Sequence, residues 1–291
     1  AIGAIGWVFG RLGTFDVATA GAINRFAFYI CIPALGFRLI TNAPLEEFDP
    51  LLLAGFLATE IVMYGSGYVI GRFMFKTSRR EAILLGLACA LTNHILFVLP
   101  IAINLFGEEA AAPIVAIITM DSILLFSATS MTMDIIIHKD KSIFHLLGKI
   151  ARNPPVVAMG SGLIVALAGF DVPSNIDLFL KFAGSAAAPC ALFALGVILS
   201  QKQEAGRAML PVSLTVLKLV VHPALAWLIL ITLFGLPETI STPAMMVAAA
   251  PCGAMAFVLA LNYQVRVDAI ARAILYSSIG SLVTITLAAA L

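Results

Sequence analysis

Apolar runs of about twenty residues alternate with short polar clusters along the chain. A helix needs about 20 residues to cross ~30 Å of hydrocarbon, and on that measure the runs predict helical spans at 1–11, 21–40, 50–71, 81–104, 112–134, 154–170, 177–199, 208–233, 241–261 and 269–291. The first is too short to cross and lacks the basic leader and cleavage pattern of a signal peptide. It reads as the second half of a span whose start is missing, either disordered or removed. The clusters between runs carry turn residues and charge, as in NAPLEEFDP (42–50), KTSRRE (76–81), DVPSN (171–175) and SQKQEAGR (200–207).

Two runs break the pattern. LACALTNHILFVLPIAINLFG (87–107) places Asn93 and His94 near its centre, and Pro100 follows one and a half turns later. AMMVAAAPCGAMAFVLALNY (244–263) carries Pro251, Cys252 and Gly253 at comparable depth. Proline lacks an N–H and its ring opposes a straight helix. The expectation is that Pro100 frees a carbonyl in the region of His94 to Leu96 and that both spans break near mid-membrane. Freed backbone groups persist in lipid only if they line a cavity or a ligand site, and half-helix N-termini attract anions. The plainer reading, two prolines that merely kink packed helices, stays open.

Composition agrees with lipid surroundings. Of 291 residues, 61% are hydrophobic and 11% charged, whereas a soluble domain is about a quarter charged; mean hydropathy is +1.05. The net charge of +1 says little, but its distribution says more. Fourteen of the 17 basic residues fall on connections 1–2, 3–4, 5–6, 7–8 and 9–10 or their flanks, among them Arg72, Lys76, Arg79, Arg80, Lys139, Lys141, Lys149, Arg152, Lys202 and Arg207. The opposite connections hold Glu46, Glu47, Asp49, Glu108, Glu109, Asp171 and Glu238. Basic loops stay in the cytoplasm, which predicts both termini outside. The four cysteines lie in apolar runs without paired spacing and read as small buried side chains rather than as a disulfide frame or a metal site.

The two halves correspond. Laying Pro33 on Pro189 brings Arg25 onto Lys181, Phe26 onto Phe182 and Phe37 onto Phe193; further on, Glu60 falls on Lys218, Asn93-His94 on Pro251-Cys252, and Asn104 on Asn262. This predicts an all-α polytopic membrane protein of ten helices, built as two inverted five-helix repeats (1–134 and 154–291) around a cytoplasmic linker at 135–153, with helices 4 and 9 broken and crossing. Ionisable groups inside spans are functional by default, because their cost needs a reason. Glu60 is central in span 3, Asp121 in span 5 and Lys218 in span 8. Lys218 and His222 are four residues apart and share a helical face suited to a carboxylate, although Lys218 can also snorkel. Asn93, His94 and Asp121 can form a patch that takes up a proton or cation, or simply a packed histidine with its partners. Asp134, at a span's end, reads as solvated.

INRFAFYICIPALGFR (23–38), RNPPVVAMGSGLIVALAGFDVP (152–173), APCALFALGVIL (188–199) and AAAPCGAMAFVLALNY (248–263) resemble the auxin efflux carrier superfamily, and within it bacterial permeases of malonate-transporter type. The resemblance covers almost the whole chain. It implies two inverted five-helix repeats with spans 4 and 9 broken at a proline crossover, a scaffold and a transport domain each drawn from both repeats, and organic mono- or dicarboxylates as substrates. Members often carry Asn, Gly and Pro in span 4; this chain has Asn93, Phe97 and Pro100, with His94 unusual beside Asn93.

The expected function is a secondary carrier of small organic anions working by alternating access in an elevator-like manner, in a bacterial plasma (inner) membrane. A sodium-coupled symporter of bile-acid-symporter-like fold is the alternative, although PCGAM (251–255) offers few side-chain oxygens for an ion. The candidate substrate-binding residues are Asn93, His94, Pro100, Pro251, Cys252, Gly253, Lys218 and His222. Glu60 and Asp121 are candidate coupling or structural groups. Partners are a small carboxylate and membrane lipid, with a proton or sodium as candidate coupling ion and a homodimer as candidate assembly. No GxxxxGK[ST] loop, HExxH motif or compelling Ser/His/Asp order is present, and basic residues form no nucleic-acid stripe. No catalytic residue, metal or cofactor is expected.

Overall fold

The structure is a computed structural model and describes residues 2–138, 148, 151–201 and 208–290. Most of the 135–153 linker, including Lys139, Lys141 and Lys149, and Lys202 and Arg207 of the next basic connection lie outside the described residues. The described helices are α1 (Ile2–Arg11), α2 (Val17–Thr41), α3 (Pro50–Met74), α4 (Arg79–Ala90), α5 (Leu99–Phe106), α6 (Ala111–Ile137), α7 (Pro154–Leu167), α8 (Ser174–Ser200), α9 (Met209–Leu233), α10 (Glu238–Ala248), α11 (Met255–Asn262) and α12 (Asp268–Ala289). Six of them, α2, α3, α6, α8, α9 and α12, are long and apolar enough to cross a bilayer. The two runs with central breaks appear as half-length pairs, α4 with α5 and α10 with α11.

Local chemistry sets several helix starts. The carboxylate of Asp16 caps α2 by accepting from Thr19 N at 2.8 Å, and the bonds from Thr19 hold that carboxyl below its ordinary pKa. Asp49 accepts from the amides of Leu51 and Leu52 ahead of α3, where Pro50 has no N–H to leave unpaired. Ser78 caps α4 through Glu81 N.

Three prolines inside spans widen the helix rather than stop it. The turn before Pro33 (Ala27–Cys31), the turn before Pro100 (His94–Val98) and the turn before Pro223 (Leu217–Val221) each close with an i to i+5 backbone bond. The ring displaces the preceding turn and removes one donor, and the ladder re-forms with one extra residue. Three further widened turns, Ile70–Met74, Asp121–Phe126 and Trp227–Leu233, have no proline at their ends. His94, Asp121 and Lys218 all sit in such turns.

The chain divides into two compact units, each assembled from separated segments. Unit 1 comprises 1–43, 122–203 and 257–268, and unit 2 comprises 44–121, 204–256 and 269–291. In unit 1, α1 lies along the second half of α8. A Cβ on Gly6 would collide with the Phe193 carbonyl, and one on Gly196 with that of Gly3. Helices in lipid associate through close packing rather than water exclusion, so these glycines set the α1–α8 distance. Arg38 pairs with Asp177 at 2.8 Å and links α2 to α8. At the far end of α6, buried Asn153 donates to Ser130 Oγ at 2.9 Å and to Asp134 Oδ2 at 2.7 Å, while Tyr263 donates to the Ser130 carbonyl. Asp134 is therefore held by Asn153 and only half-exposed, not solvated as its place at a span end suggested; Asn153 reaches back from the start of α7.

In unit 2, α3 packs on α4, and α9 packs on α3 and α10. Its core includes Phe56, Met63, Leu84, Leu87 and Met246, all fully buried. Large apolar side chains face outward instead of water-seeking ones, among them Leu282 and Val283 of α12, both 64% exposed. Such a surface suits lipid contact.

Candidate functional site

The two interrupted runs meet in unit 2. α4 stops at Ala90, and Leu91 turns to an extended conformation (φ −60°, ψ 137°). α10 stops at Ala248. The extended pieces then pair as a two-residue antiparallel bridge, Thr92 opposite Cys252. Asn93 N donates to the Pro251 carbonyl at 3.0 Å, and Gly253 N donates to the Leu91 carbonyl at 2.9 Å. Gly253 lies so close to the opposite strand that a Cβ would sit 2.8 Å from the Thr92 carbonyl oxygen. Only a residue without a side chain lets the backbones approach this far.

Ending two helices inside an apolar core strands their last carbonyls, and each needs a donor. The Lys218 ammonium donates to the Ala90 carbonyl at 2.7 Å and to Thr92 Oγ1 at 2.6 Å. The Thr92 hydroxyl passes its own proton to the Val247 carbonyl at the end of α10, at 3.2 Å. Thr284 of α12 donates to the Ala249 carbonyl at 2.6 Å, and Ser277 Oγ accepts from Cys252 N at 3.1 Å. One cation from α9 thus serves the C-terminal ends of both half-helices, directly in α4 and through Thr92 in α10. Positive charge at a helix C-terminus is also favoured by the helix dipole.

Lys218 and His222 share one face, with Lys218 Nζ 3.0 Å from His222 Nδ1. Both are fully buried, and the His222 ring packs against Phe56 at 5.7 Å between centroids. An ammonium has three protons, and Lys218 has three partners, so it has no free donor for a carboxylate in this structure. Its burial also differs from the snorkelling reading. Glu60 makes no hydrogen bond or ion pair with Lys218, although its carboxyl interacts electrostatically with both Asp121 of α6 and Lys218. His94 Nε2 lies 3.0 Å from Asp121 Oδ2, an ion-pair distance, and neither atom makes a hydrogen bond among the described residues.

Pro100 acts differently from the expectation. The span breaks at Leu91–Asn93, upstream of the carbonyls Pro100 was expected to free, and Pro100 sits in the first turn of α5 behind the widened His94–Val98 turn. The rupture is set by pairing with 251–253, which satisfies backbone groups that a continuous helix would otherwise bond internally. Pro251, Cys252 and Gly253 lie in the second break, as expected. The Asn93 side chain is half-buried beside the bridge and makes no hydrogen bond among the described residues. Thr92, Ser277 and Thr284 escaped sequence reasoning. Hydroxyl residues are common in membrane helices, and nothing local marks these three.

Two cavities in unit 2 lie elsewhere. One of about 420 Å³ runs between α5 and α12, lined by Phe97, Ile101, Leu282 and Ile285; the other, about 220 Å³, has Glu47, Asp49 and Glu109 in its wall. Neither is lined by Asn93, Pro251 or Gly253.

Comparison with known proteins gives the same picture across the whole length. A protein of Rhizobium meliloti (strain 1021) named "Putative malonate transporter" is 29% identical over 97% of this chain and 90% of its own. An uncharacterized transporter of Methanocaldococcus jannaschii is 26% identical over 97% of this chain and 93% of its own. Auxin efflux carrier component 8 of Arabidopsis thaliana is 24% identical over 94% of this chain and 89% of its own. Residues 1–289 match the family described as Membrane transport protein. With its apolar spans and its paired helix breaks, the chain belongs to that family of membrane transporters, the auxin efflux carrier superfamily, and is an integral membrane protein.

Proposed function

We propose that the chain is a secondary carrier of small organic anions, malonate or a related dicarboxylate or an auxin-like monocarboxylate. It works by alternating access, in an elevator-like manner. The observation that carries this reading is the paired break at Thr92 and Cys252. Beyond it the chain re-enters helix at His94 and at Met255, and the Asn93 position supplies no side-chain cap to the first of these turns. Free amides at a helix start attract a carboxylate, and the Asn93 amide is available to donate to the same group. Lys218 then acts from behind, fixing the break and adding positive potential without touching the substrate. Counting α4 with α5 and α10 with α11 as single passages gives ten spans. The two halves would then be inverted repeats, and the basic connections favour both termini outside a bacterial inner membrane. Malonate and auxin enter through the names of the relatives from Rhizobium and Arabidopsis; both are carboxylic acids.

The sodium-coupled alternative is less favoured by the same geometry. An ammonium already sits 2.7 Å from the Ala90 carbonyl, where a metal ion would need the helix-end oxygens for itself. The test is uptake by the purified protein in sealed liposomes of radiolabelled malonate, malate, succinate, acetate and indole acetate, with and without sodium, proton and potential gradients. Accumulation of at least one acid is expected, and Asn93→Asp should abolish it by setting two like charges together. Uptake of none of the five, or full uptake by Asn93→Asp, would overturn the assignment.

A further inference from the structure

Unit 2 holds a second polar group whose chemistry the anion site does not use. Glu60 of α3, Asp121 of α6 and His94 of the turn before α5 are 0%, 2% and 7% exposed. Both carboxyl oxygens of Glu60, both of Asp121 and Nε2 of His94 have no hydrogen-bond partner among the described residues. Yet the groups converge. Glu60 interacts electrostatically with Asp121, and the His94 imidazole comes within 3.0 Å of Asp121.

The surroundings give them no hydrogen-bond donor. Lys218 is the near cation, and its three protons go to Ala90, Thr92 and His222. The remaining titratable neighbours are the His222 imidazole on α9 and the thiols of Cys89 on α4 and Cys252 in the second break. An ionised carboxylate accepts about four hydrogen bonds, and burying one without donors is costly. Two carboxylates side by side raise that cost further. A proton shared among the three groups removes it. Among the described residues no three His, Cys, Asp or Glu side chains are arranged to hold a metal ion, so a divalent metal does not answer the deficit.

We infer that Glu60, Asp121 and His94 form a proton-binding site in unit 2 that is loaded and emptied together with the anion, making transport proton-coupled. His94 follows Asn93 directly in the chain, so a proton on the His94–Asp121 contact and an anion at Asn93 attract each other across one residue. The proton enters from water on one side with the substrate and returns to water on the other. With one proton a monocarboxylate moves no net charge; malonate dianion moves one negative charge with one proton and none with two. The proton site stands on the His94–Asp121 contact and the unpaired buried carboxyl oxygens, and its coupling to transport rests on the carrier reading.

Two measurements on the full chain separate these. In pH-dependent infrared difference spectra of the purified protein, a protonated buried carboxyl should give a C=O stretch that Glu60→Gln removes and Asp121→Asn displaces. In proteoliposomes without sodium, a gradient of one pH unit should raise malonate accumulation about tenfold for one coupled proton. If another acid of the panel is the one carried, that acid serves as the probe. In Glu60→Gln the ratio of accumulation with and without the gradient should fall to about one, and Glu60→Asp, which keeps an acid, should restore part of it. The restoring variant guards against a trivial folding defect. Absence of any carboxyl band in the wild type, or an undiminished gradient ratio in Glu60→Gln, would overturn the proposal. The expected band with no acid carried at all would uphold the proton site and sink the carrier reading.

Discussion

Replacing Gly253 by alanine tests the paired break at its tightest point. The new Cβ would lie 2.8 Å from the Thr92 carbonyl oxygen and 3.1 Å from its carbon, whereas a relaxed C···O contact is about 3.3 Å or more. The strands must part by roughly 0.5 Å to make room. The bonds from Asn93 N to Pro251 and from Gly253 N to Leu91, now 3.0 and 2.9 Å, then stretch past the ~3.2 Å limit of good N–H···O geometry. Two such bonds, each worth about 1 kcal/mol net, with the added penalty for buried donors left unpaired, put the cost at roughly 2–4 kcal/mol. Alanine returns only about 0.4–1 kcal/mol by restricting the unfolded chain, so destabilisation wins. For a chain of this size about 2 kcal/mol net lowers the unfolding midpoint by roughly 3–4 °C.

The assay is built into the molecule. Cys89 and Cys252 flank the break and are fully buried, so a thiol-reactive fluorophore reports opening as the detergent-solubilised protein is heated. Gly65→Ala is the control. Gly65 is exposed on α3 and its added Cβ meets nothing within 4 Å, so the same chemical change should gain about 0.5–1 kcal/mol of helix stability. A Gly253→Ala midpoint equal to or above that of Gly65→Ala would show that the close approach at Thr92 is not what holds the break together.

Lys218→Met keeps the stem but strands the Ala90 carbonyl. An orphaned buried carbonyl costs about 1–3 kcal/mol, so the amides of Asn93 and Gly253 should exchange with deuterium roughly tenfold faster or more; unchanged protection would move the clamp elsewhere. Asn153→Ala removes the donor to Ser130 and Asp134 in unit 1 and should lower stability by roughly 2–3 kcal/mol, read as faster proteolysis near the start of α7, while equal cleavage rates would make the network dispensable. Single cysteines at positions 80 and 109, both exposed, in a background without native cysteines should label from opposite membrane faces; labelling from one face would sink the inverted arrangement.

What the sequence determined by itself is what local pattern and composition carry. The apolar runs located the long helices to within a few residues, because lipid demands about twenty apolar residues per passage wherever the helix packs. The spacing of four put Lys218 and His222 on one face, because the helical period is local. Pro251, Cys252 and Gly253 marked the second break through backbone chemistry that belongs to those residues alone. Tertiary structure decided the rest. The first break falls at Leu91–Asn93 rather than beside Pro100, since the partner that satisfies its backbone is Pro251–Gly253, far along the chain. Lys218 serves the Ala90 carbonyl, and Glu60 makes no hydrogen bond or ion pair with its repeat counterpart Lys218. These pairings left no periodic trace: a membrane helix is apolar on every side, so the alternation that reveals the inner face of a soluble helix is absent, and which buried polar groups meet is set only when the helices pack.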